Sequence, residues 1–220
     1  MSLDEIFTST EPGPEHRARP LSETVQFKQL AGPKVIVRPI NHKDPAEIEA
    51  LFKTTDESTF IYMWYGPFPN LSSFTEGLIH RSKIPGWTSL VWIDRETGYI
   101  VGSGAYHRVD LSNRTVELGG LWIGKDWAGK GLALEAIALM TWQAIKHWGF
   151  VRVEWKTHHL NIGSQKLAER AGLTLEGRFR KHMYYKGASR DTFWYAVIDD
   201  DYADVEAALL NKLKPIGYRG

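Results

Sequence analysis

From Trp87 to Ile123 apolar and polar residues alternate with a period of two, which predicts strands over Trp87–Asp94, Tyr99–Val109 and Arg114–Ile123. The first two flank Arg95-Glu96-Thr97-Gly98 as a hairpin turn, and Asp110–Asn113 separates the third, so an antiparallel meander is expected. After Gly131 the period lengthens. Leu132, Ala133, Ala136, Ile137, Met140, Ala144 and Ile145 predict one helix to about Trp148, with Gly149 where a C-cap glycine belongs. Upstream, Val35–Pro39 reads as a strand, Asp44–Phe52 as a helix capped by Asp44 with Pro45 at its first position, and Ser72–Lys83 as a helix closed by Pro85-Gly86. Downstream, Val151–Thr157, Leu173–Gly177 and Thr192–Asp199 read as strands. Ser164–Ala171 reads as a short helix ended by Gly172, and Tyr202–Leu213 as the last helix. Residues 1–33 are polar and broken by Pro12, Pro14, Pro20 and Pro33, so they are expected to be an N-terminal extension to a single domain over 34–220. The plan is α+β: a mostly antiparallel, twisted sheet with helices on its faces.

Composition narrows the function classes. Of the 220 residues, 43% are apolar, enough for a core and too many for a disordered chain. Lys and Arg number 27 against 26 Asp and Glu, which argues against a protein built to grip nucleic acid. Cysteine is absent, so disulfides, thiolate zinc sites and cysteine nucleophiles are excluded. No apolar run approaches the roughly 20 residues of a membrane span, and no signal segment is read, so a soluble cytoplasmic protein without a membrane partner is expected.

The chemistry concentrates where strand gives way to helix: Val116-Glu117-Leu118-Gly119-Gly120-Leu121-Trp122-Ile123, then Gly124-Lys125-Asp126-Trp127-Ala128-Gly129-Lys130-Gly131-Leu132-Ala133. Gly129 and Gly131 allow close backbone approach, and the unpaired N–H groups of the helix behind them suit a phosphate or pyrophosphate, unless the turn merely joins strand to helix. Gly124–Lys130 also matches the P-loop pattern G-x-x-x-x-G-K, with Ala196–Asp200 as its acidic strand end. Gly131 then stands where Ser or Thr should hold magnesium, and hairpin-joined strands are the wrong surroundings.

Three ordered segments resemble the GNAT acetyltransferase superfamily, in the branch similar to ribosomal-protein N-terminal acetyltransferases. Ala128-Gly129-Lys130-Gly131-Leu132-Ala133 fits its Arg/Gln-x-x-Gly-x-Gly/Ala turn from the fourth position onward, with Ala128 in place of a side-chain contact. His159–Leu173 resembles the family's Asn-x-x-Ser…Gly-Phe segment, and Glu176-Gly177, Arg178–Arg180 and Arg190-Asp191 follow as this branch commonly carries them. The resemblance implies a mixed, mostly antiparallel twisted sheet flanked by helices and splayed between its two central strands. It implies acetyl-CoA as co-substrate, with Ala128, Gly129, Lys130, Gly131, Leu132 and Ala133 cradling pyrophosphate and Leu121, Trp122 and Ile123 pairing with pantetheine. It also implies a primary amine, on a small molecule or a peptide, as acceptor, and a monomer or homodimer.

Without cysteine the simplest chemistry is direct attack of the amine on the thioester. Deprotonating a lysine-type amine at neutral pH costs about 4 kcal/mol and an α-amine about 1 kcal/mol, so a base helps. Glu117 stands in an otherwise apolar and glycine run, where the resemblance places a general base acting through water; the alternative is a strand glutamate paired with Arg114 or Arg108. Glu117, Gly119, Leu121 and Ile123 should share one face unless a bulge at the paired glycines re-aims them. Ala168 stands where many relatives carry a thiolate-protonating tyrosine, which leaves Ser164 as a hydrogen-bond donor to the leaving group or as a plain helix-start residue. Asn161 reads either as a ligand of pantetheine or amine or as a helix cap. Trp64 and Tyr65, in the aromatic run Trp64–Phe68, and His182 beside Tyr184-Tyr185 are candidate acceptor-binding residues; the run reads equally as exposed core edge or oligomer contact. His158-His159 have poor metal geometry, and no metal is expected. A catalytically inactive CoA- or amine-binding module is the main alternative to an enzyme.

Overall fold

The computed structural model describes Phe27 and residues 29–213, so most of the expected extension, residues 1–26 and 28, lies outside the described residues. Strands β1 (Leu30–Ala31), β2 (Val35–Pro39), β3 (Thr88–Asp94), β4 (Ile100–Asp110), β5 (Thr115–Ile123), β6 (Arg152–His158), β7 (Thr174–Tyr185) and β8 (Ala188–Ile198) form one open sheet. Its spatial order is β1-β2-β3-β4-β5-β6-β8-β7. Neighbours run antiparallel except β5 and β6, which are parallel. Helices α1 (Pro45–Phe52) and α2 (Leu71–Ser82) cover one face of the sheet. Helices α3 (Leu132–Trp142), α4 (Ile162–Arg170) and α5 (Tyr202–Leu213) cover the other.

Local chemistry explains most boundaries. The Asp44 carboxylate accepts from Ala46 and Glu47 N–H and caps α1 in front of Pro45. Asn70 does the same for α2 through Ser73 N–H (2.9 Å). The expected long helix runs as α3 to Trp142 and continues as π-helical turns over Gln143–Trp148, ended by left-handed Gly149. At that junction the Tyr106 hydroxyl donates to Met140 O (2.6 Å), an insertion into the helical ladder of the sort that widens it. The outer hairpin differs most from expectation. β7 reaches Tyr185 and β8 begins at Ala188, because Lys186 and Gly187, with φ of 52° and 77°, make a two-residue turn between the largely exposed β7 and the exposed start of β8.

Helix α3 is also tied to the sheet edge. Glu135, 1% exposed, accepts from Lys34 N–H (2.7 Å) and Val35 N–H (2.9 Å), joining the first turn of α3 to the start of β2. Substituting Glu135 with Ala is expected to cost about 1–3 kcal/mol, since the buried Val35 amide and the part-buried Lys34 amide would lose their acceptor. Urea unfolding at neutral pH measures this, and an unchanged midpoint would refute it.

Candidate active site

The site begins where the sheet opens. β5 and β6 pair from Thr115↔Arg152 to Leu118↔Trp155 and no further, although β5 continues to Ile123 and β6 to His158. Beyond Leu118 the backbone bulges away. Ser103 pairs with Trp122 but Ala105 pairs with Gly119, so β5 carries one extra residue there, and Gly120 takes a left-handed φ of 59°. The extra residue switches the alternation. Leu121 and Ile123 pack with the cluster that holds Val116 and Leu118, while Trp122 joins the cluster on the opposite face. The expected sharing of one face by Glu117, Gly119, Leu121 and Ile123 therefore stops at Gly119.

Into the gap opens a cavity of about 410 Å³. Its walls include Glu117 and Leu121 from β5, Asn161 and Ser164 at the start of α4, Trp64 and Tyr65 from the loop before α2, and His182 from β7. The turn Ala128–Ala133 lies outside this lining, as do Trp122 and Ile123. The Trp122 side chain is turned away, its Nε1 donating to Thr54 Oγ1 (3.0 Å), so only its backbone can take part in binding.

Glu117 is 6% exposed and surrounded by two cations and an imidazole. Its Oε2 lies 2.7 Å from Lys156 Nζ and 3.5 Å from Arg108 Nε, and its Oε1 lies 3.3 Å from His107 Nε2. Burial pushes the carboxyl up, but the hydrogen bond and charge of His107 and the charge of Lys156 outweigh it and hold Glu117 below the usual carboxylate range. Glu117 is thus an anion in a buried site at neutral pH. A second bulge supports this arrangement. Arg108 adopts φ 50° where three residues of β4 span two of β5, which swings a side chain that regular alternation would send to the far face within reach of Glu117. Across the seam, Glu117 pairs in register with Glu154, and Lys156 bridges both carboxylates at 2.7 and 2.9 Å, with its ammonium 3.8 Å from the centre of the Trp194 ring.

The other walls are equally specific. Asn161 caps α4, its Oδ1 accepting from Ser164 N–H (3.1 Å), so the helix starts at Ile162 and not at the expected Ser164. The Ser164 hydroxyl, placed one turn inside, accepts from Trp155 Nε1 (3.0 Å) and keeps its own proton for another acceptor. Ala168 is fully buried in the main core, so no acid comes from that position. Tyr65 lies under the Arg81 guanidinium (4.1 Å), and burial pushes its hydroxyl up to about 12, with the Arg81 cation acting against that. Trp64 stands 46% exposed at the rim.

After β5 the chain turns into α3 through Gly129 and Gly131, with φ of 79° and 85°. Gly131 is the N-cap and offers no side-chain acceptor, and Glu135 in the first turn is occupied with β2, so the leading N–H groups of α3 are left for an anion. A Cβ at Gly129 or Gly131 would meet nothing within 4 Å, so the space beside both is open.

Lys156 and His107 were not legible as site residues in the sequence, whereas Arg108, read there as a possible partner of Glu117, does lie beside it. The signal for Lys156 was its place beside Glu154 on an alternating strand that ends at the Asn161 segment, but a charged residue at such a position ordinarily faces water. Among the described residues no group of His, Cys, Asp and Glu is arranged to hold a metal, and no helix is long and apolar enough to cross a membrane.

Residues 34–174 match the acetyltransferase (GNAT) domain family. A GCN5-related N-acetyltransferase from Brucella melitensis is 28% identical and superposes with a TM-score of 0.83 over 92% of this chain and 91% of that one. YoaA of Bacillus subtilis (strain 168), named an uncharacterized N-acetyltransferase, is 27% identical over 181 residues, 78% of this chain and 97% of its own. A ribosomal-protein-S5-alanine acetyltransferase from Vibrio fischeri, at 19% identity and a TM-score of 0.64 over 80% of this chain and 99% of that one, shares the fold. With the parted central strands, the glycine turn and the family match over the same residues, the chain belongs to the GNAT acetyltransferase family.

Proposed function

We propose that the protein transfers an acetyl group from acetyl-CoA to a primary amine by direct attack in a ternary complex. The observation that carries this reading is a buried, anionic Glu117 lining the cavity at the end of the paired part of β5 and β6, on the strand that leads through the glycine turn to an uncapped helix N-terminus. Gly129, Lys130, Gly131, Leu132 and Ala133 would hold the diphosphate through backbone N–H groups and the Lys130 charge. The open edge of Leu121–Ile123, with Asn161, would pair with the pantetheine amides. Acetyl-CoA, when bound, supplies an acetyl group activated as a thioester. Glu117 would then take one proton from the incoming ammonium through water, the neutral nitrogen would form its bond to the acetyl carbon as the bond to sulfur breaks, and the second nitrogen proton would pass to the departing thiolate, which the Ser164 hydroxyl hydrogen-bonds, leaving the amide and the CoA thiol. A carboxylate held below its usual range is a weaker base, so it suits an α-amine, which costs about 1 kcal/mol to deprotonate, better than a lysine side chain at about 4 kcal/mol.

Calorimetry with acetyl-CoA and an assay of CoA release with α-amines test the reading. Saturable binding is expected, with turnover in the presence of an amine. Gly131→Val should raise the KM for acetyl-CoA about tenfold, because a β-branched residue in the left-handed region costs about 1–2 kcal/mol and crowds the cradle. No saturation at millimolar acetyl-CoA would overturn the assignment. A second reading, a CoA-binding protein without turnover, is favoured by the buried Ala168. It predicts binding with no CoA release from any amine.

A further inference from the structure

The acceptor end of the cavity carries a charge that nothing within the described protein balances. Arg190, on β8, is 7% exposed and lines the cavity. Its Nε donates to Thr192 Oγ1 (3.0 Å), its Nη1 reaches the Tyr62 carbonyl at the long distance of 3.5 Å, and its guanidinium lies 5.9 Å from the centre of the Tyr185 ring. Among the described residues no carboxylate lies within ion-pair distance of it, and no further hydrogen bond is made. The neighbouring Asp191 is committed elsewhere, accepting from Arg178 (2.5 Å) and from Lys181 N–H (2.7 Å).

The rest of the cavity does not supply the missing anion. Glu117 is its one carboxylate, and Lys156, Arg108 and His107 already surround it. The permanent charges on the wall are therefore Arg108, Lys156 and Arg190 against Glu117 alone. His182, which lies among them, senses the imbalance. Burial pushes its imidazole down first, Arg190, Arg108 and Lys156 push it further in the same direction, and only Glu117 acts the other way. His158 is likewise pushed down by burial, by His159 and by Arg190, against Asp191.

A buried guanidinium without a counter-ion is costly, and its planar fork matches a carboxylate. Resting on the acetyl-transfer reading, we infer that the acceptor amine carries a carboxylate, which Arg190 binds while the amine faces Glu117. Two kinds of molecule offer that chemistry: a free amino acid, and a polypeptide N-terminus with an acidic residue near its start. A carboxylate is a better occupant than a phosphate, because Arg108 and Lys156 already face Glu117 and Arg190 alone is left to meet a single negative charge. Polyamines and other polycations are disfavoured by the same imbalance.

Matched acceptors decide the matter. Phenylalanine against phenethylamine isolates the α-carboxylate. The peptides Ser-Glu-Ala-amide and Ser-Gln-Ala-amide isolate an acidic side chain, and O-phosphoethanolamine against ethanolamine isolates phosphate. The carboxylate member of at least one of the first two pairs should show a kcat/KM on the order of tenfold to a hundredfold higher. Whichever pair responds identifies the source. Arg190→Gln should collapse that ratio towards one, and Arg190→Lys should retain part of it. Equal use of both members of the first two pairs by the unaltered protein, a preference for the phosphate alone, or an Arg190→Gln variant that loses both members equally would overturn the inference. Calorimetric titration with the same acceptors, without acetyl-CoA, separates this from the transfer reading. Carboxylate-selective binding with no turnover refutes acetyl transfer and keeps the anion site. Turnover blind to the carboxylate refutes the anion site and keeps acetyl transfer, and neither selectivity nor turnover refutes both.

Discussion

Glu117→Gln is expected to lower kcat by a hundredfold to ten-thousandfold while changing the affinity for acetyl-CoA little. General base catalysis is worth about that range, and the glutamine amide keeps the shape of the carboxylate while losing its ability to accept a proton. The affinity should hold because Glu117 lies outside the glycine turn that would carry the diphosphate. A structural role would give another pattern. The amide would still accept a hydrogen bond from Lys156 or His107, and kcat would stay within a few-fold of the unaltered protein. Steady-state kinetics over pH separates the two. The unaltered enzyme should lose activity towards acid as Glu117 and the amine are protonated, and the residual rate of the variant should follow the amine alone.

The second large effect falls on Lys156, whose side chain is 8% exposed and whose ammonium bridges Glu117 and Glu154. Lys156→Met leaves both carboxylates facing each other across the β5–β6 seam, and breaking a buried pair in this manner typically costs about 3–5 kcal/mol. The pH dependence has a definite sign. In the unaltered protein Glu117 is held below its ordinary value, so its contribution to stability is complete above the ordinary carboxylate range and is lost as pH falls through the depressed folded-state value. In the variant burial still pushes the carboxyl up and one of its two main opponents is gone, so its value rises. If it passes the unfolded value, Glu117 opposes folding at neutral pH and the variant becomes relatively more stable in acid. The acidic limb of the kcat profile should move to higher pH at the same time. Urea unfolding from pH 4 to 8 reads the first effect, and a midpoint within about 0.5 kcal/mol of the unaltered protein at pH 7 would count against the bridge. Because His107 and Arg108 remain beside Glu117, activity should fall less than in Glu117→Gln.

What the sequence disclosed was mostly local. Asp44 before Pro45, the Arg95–Gly98 turn, Gly129 and Gly131 before an apolar helix and the span of α5 depend on neighbours a few residues away, and each appears in the fold at or near its expected place. The splay between the central strands came from the resemblance, and the end of the parallel ladder at Leu118↔Trp155 bears it out. The charged heart of the site was less accessible. Lys156 meets Glu117 from 39 residues away only because α3 returns the chain in parallel. Arg108 was legible as a possible partner of Glu117, but the bulge that brings it there was not, since arginine seldom adopts a left-handed φ. The outer hairpin was read too short because β7 has little burial on either face and so shows no hydrophobic alternation.

The opening within the sheet has a consequence for self-association. Exposed strand edges invite pairing with other chains, which is why sheets usually blunt them. Here the unpaired edge of β5 beyond Leu118 looks inward, across a wedge whose other side is β6. The pantetheine arm of the proposed acetyl-CoA is slender enough to enter and would complete the ladder. A strand from another folded molecule, bringing its own neighbours and side chains, is too wide to follow. At this opening the edge of β5 serves recognition, while the borders of the sheet that face outward are β1 and β7.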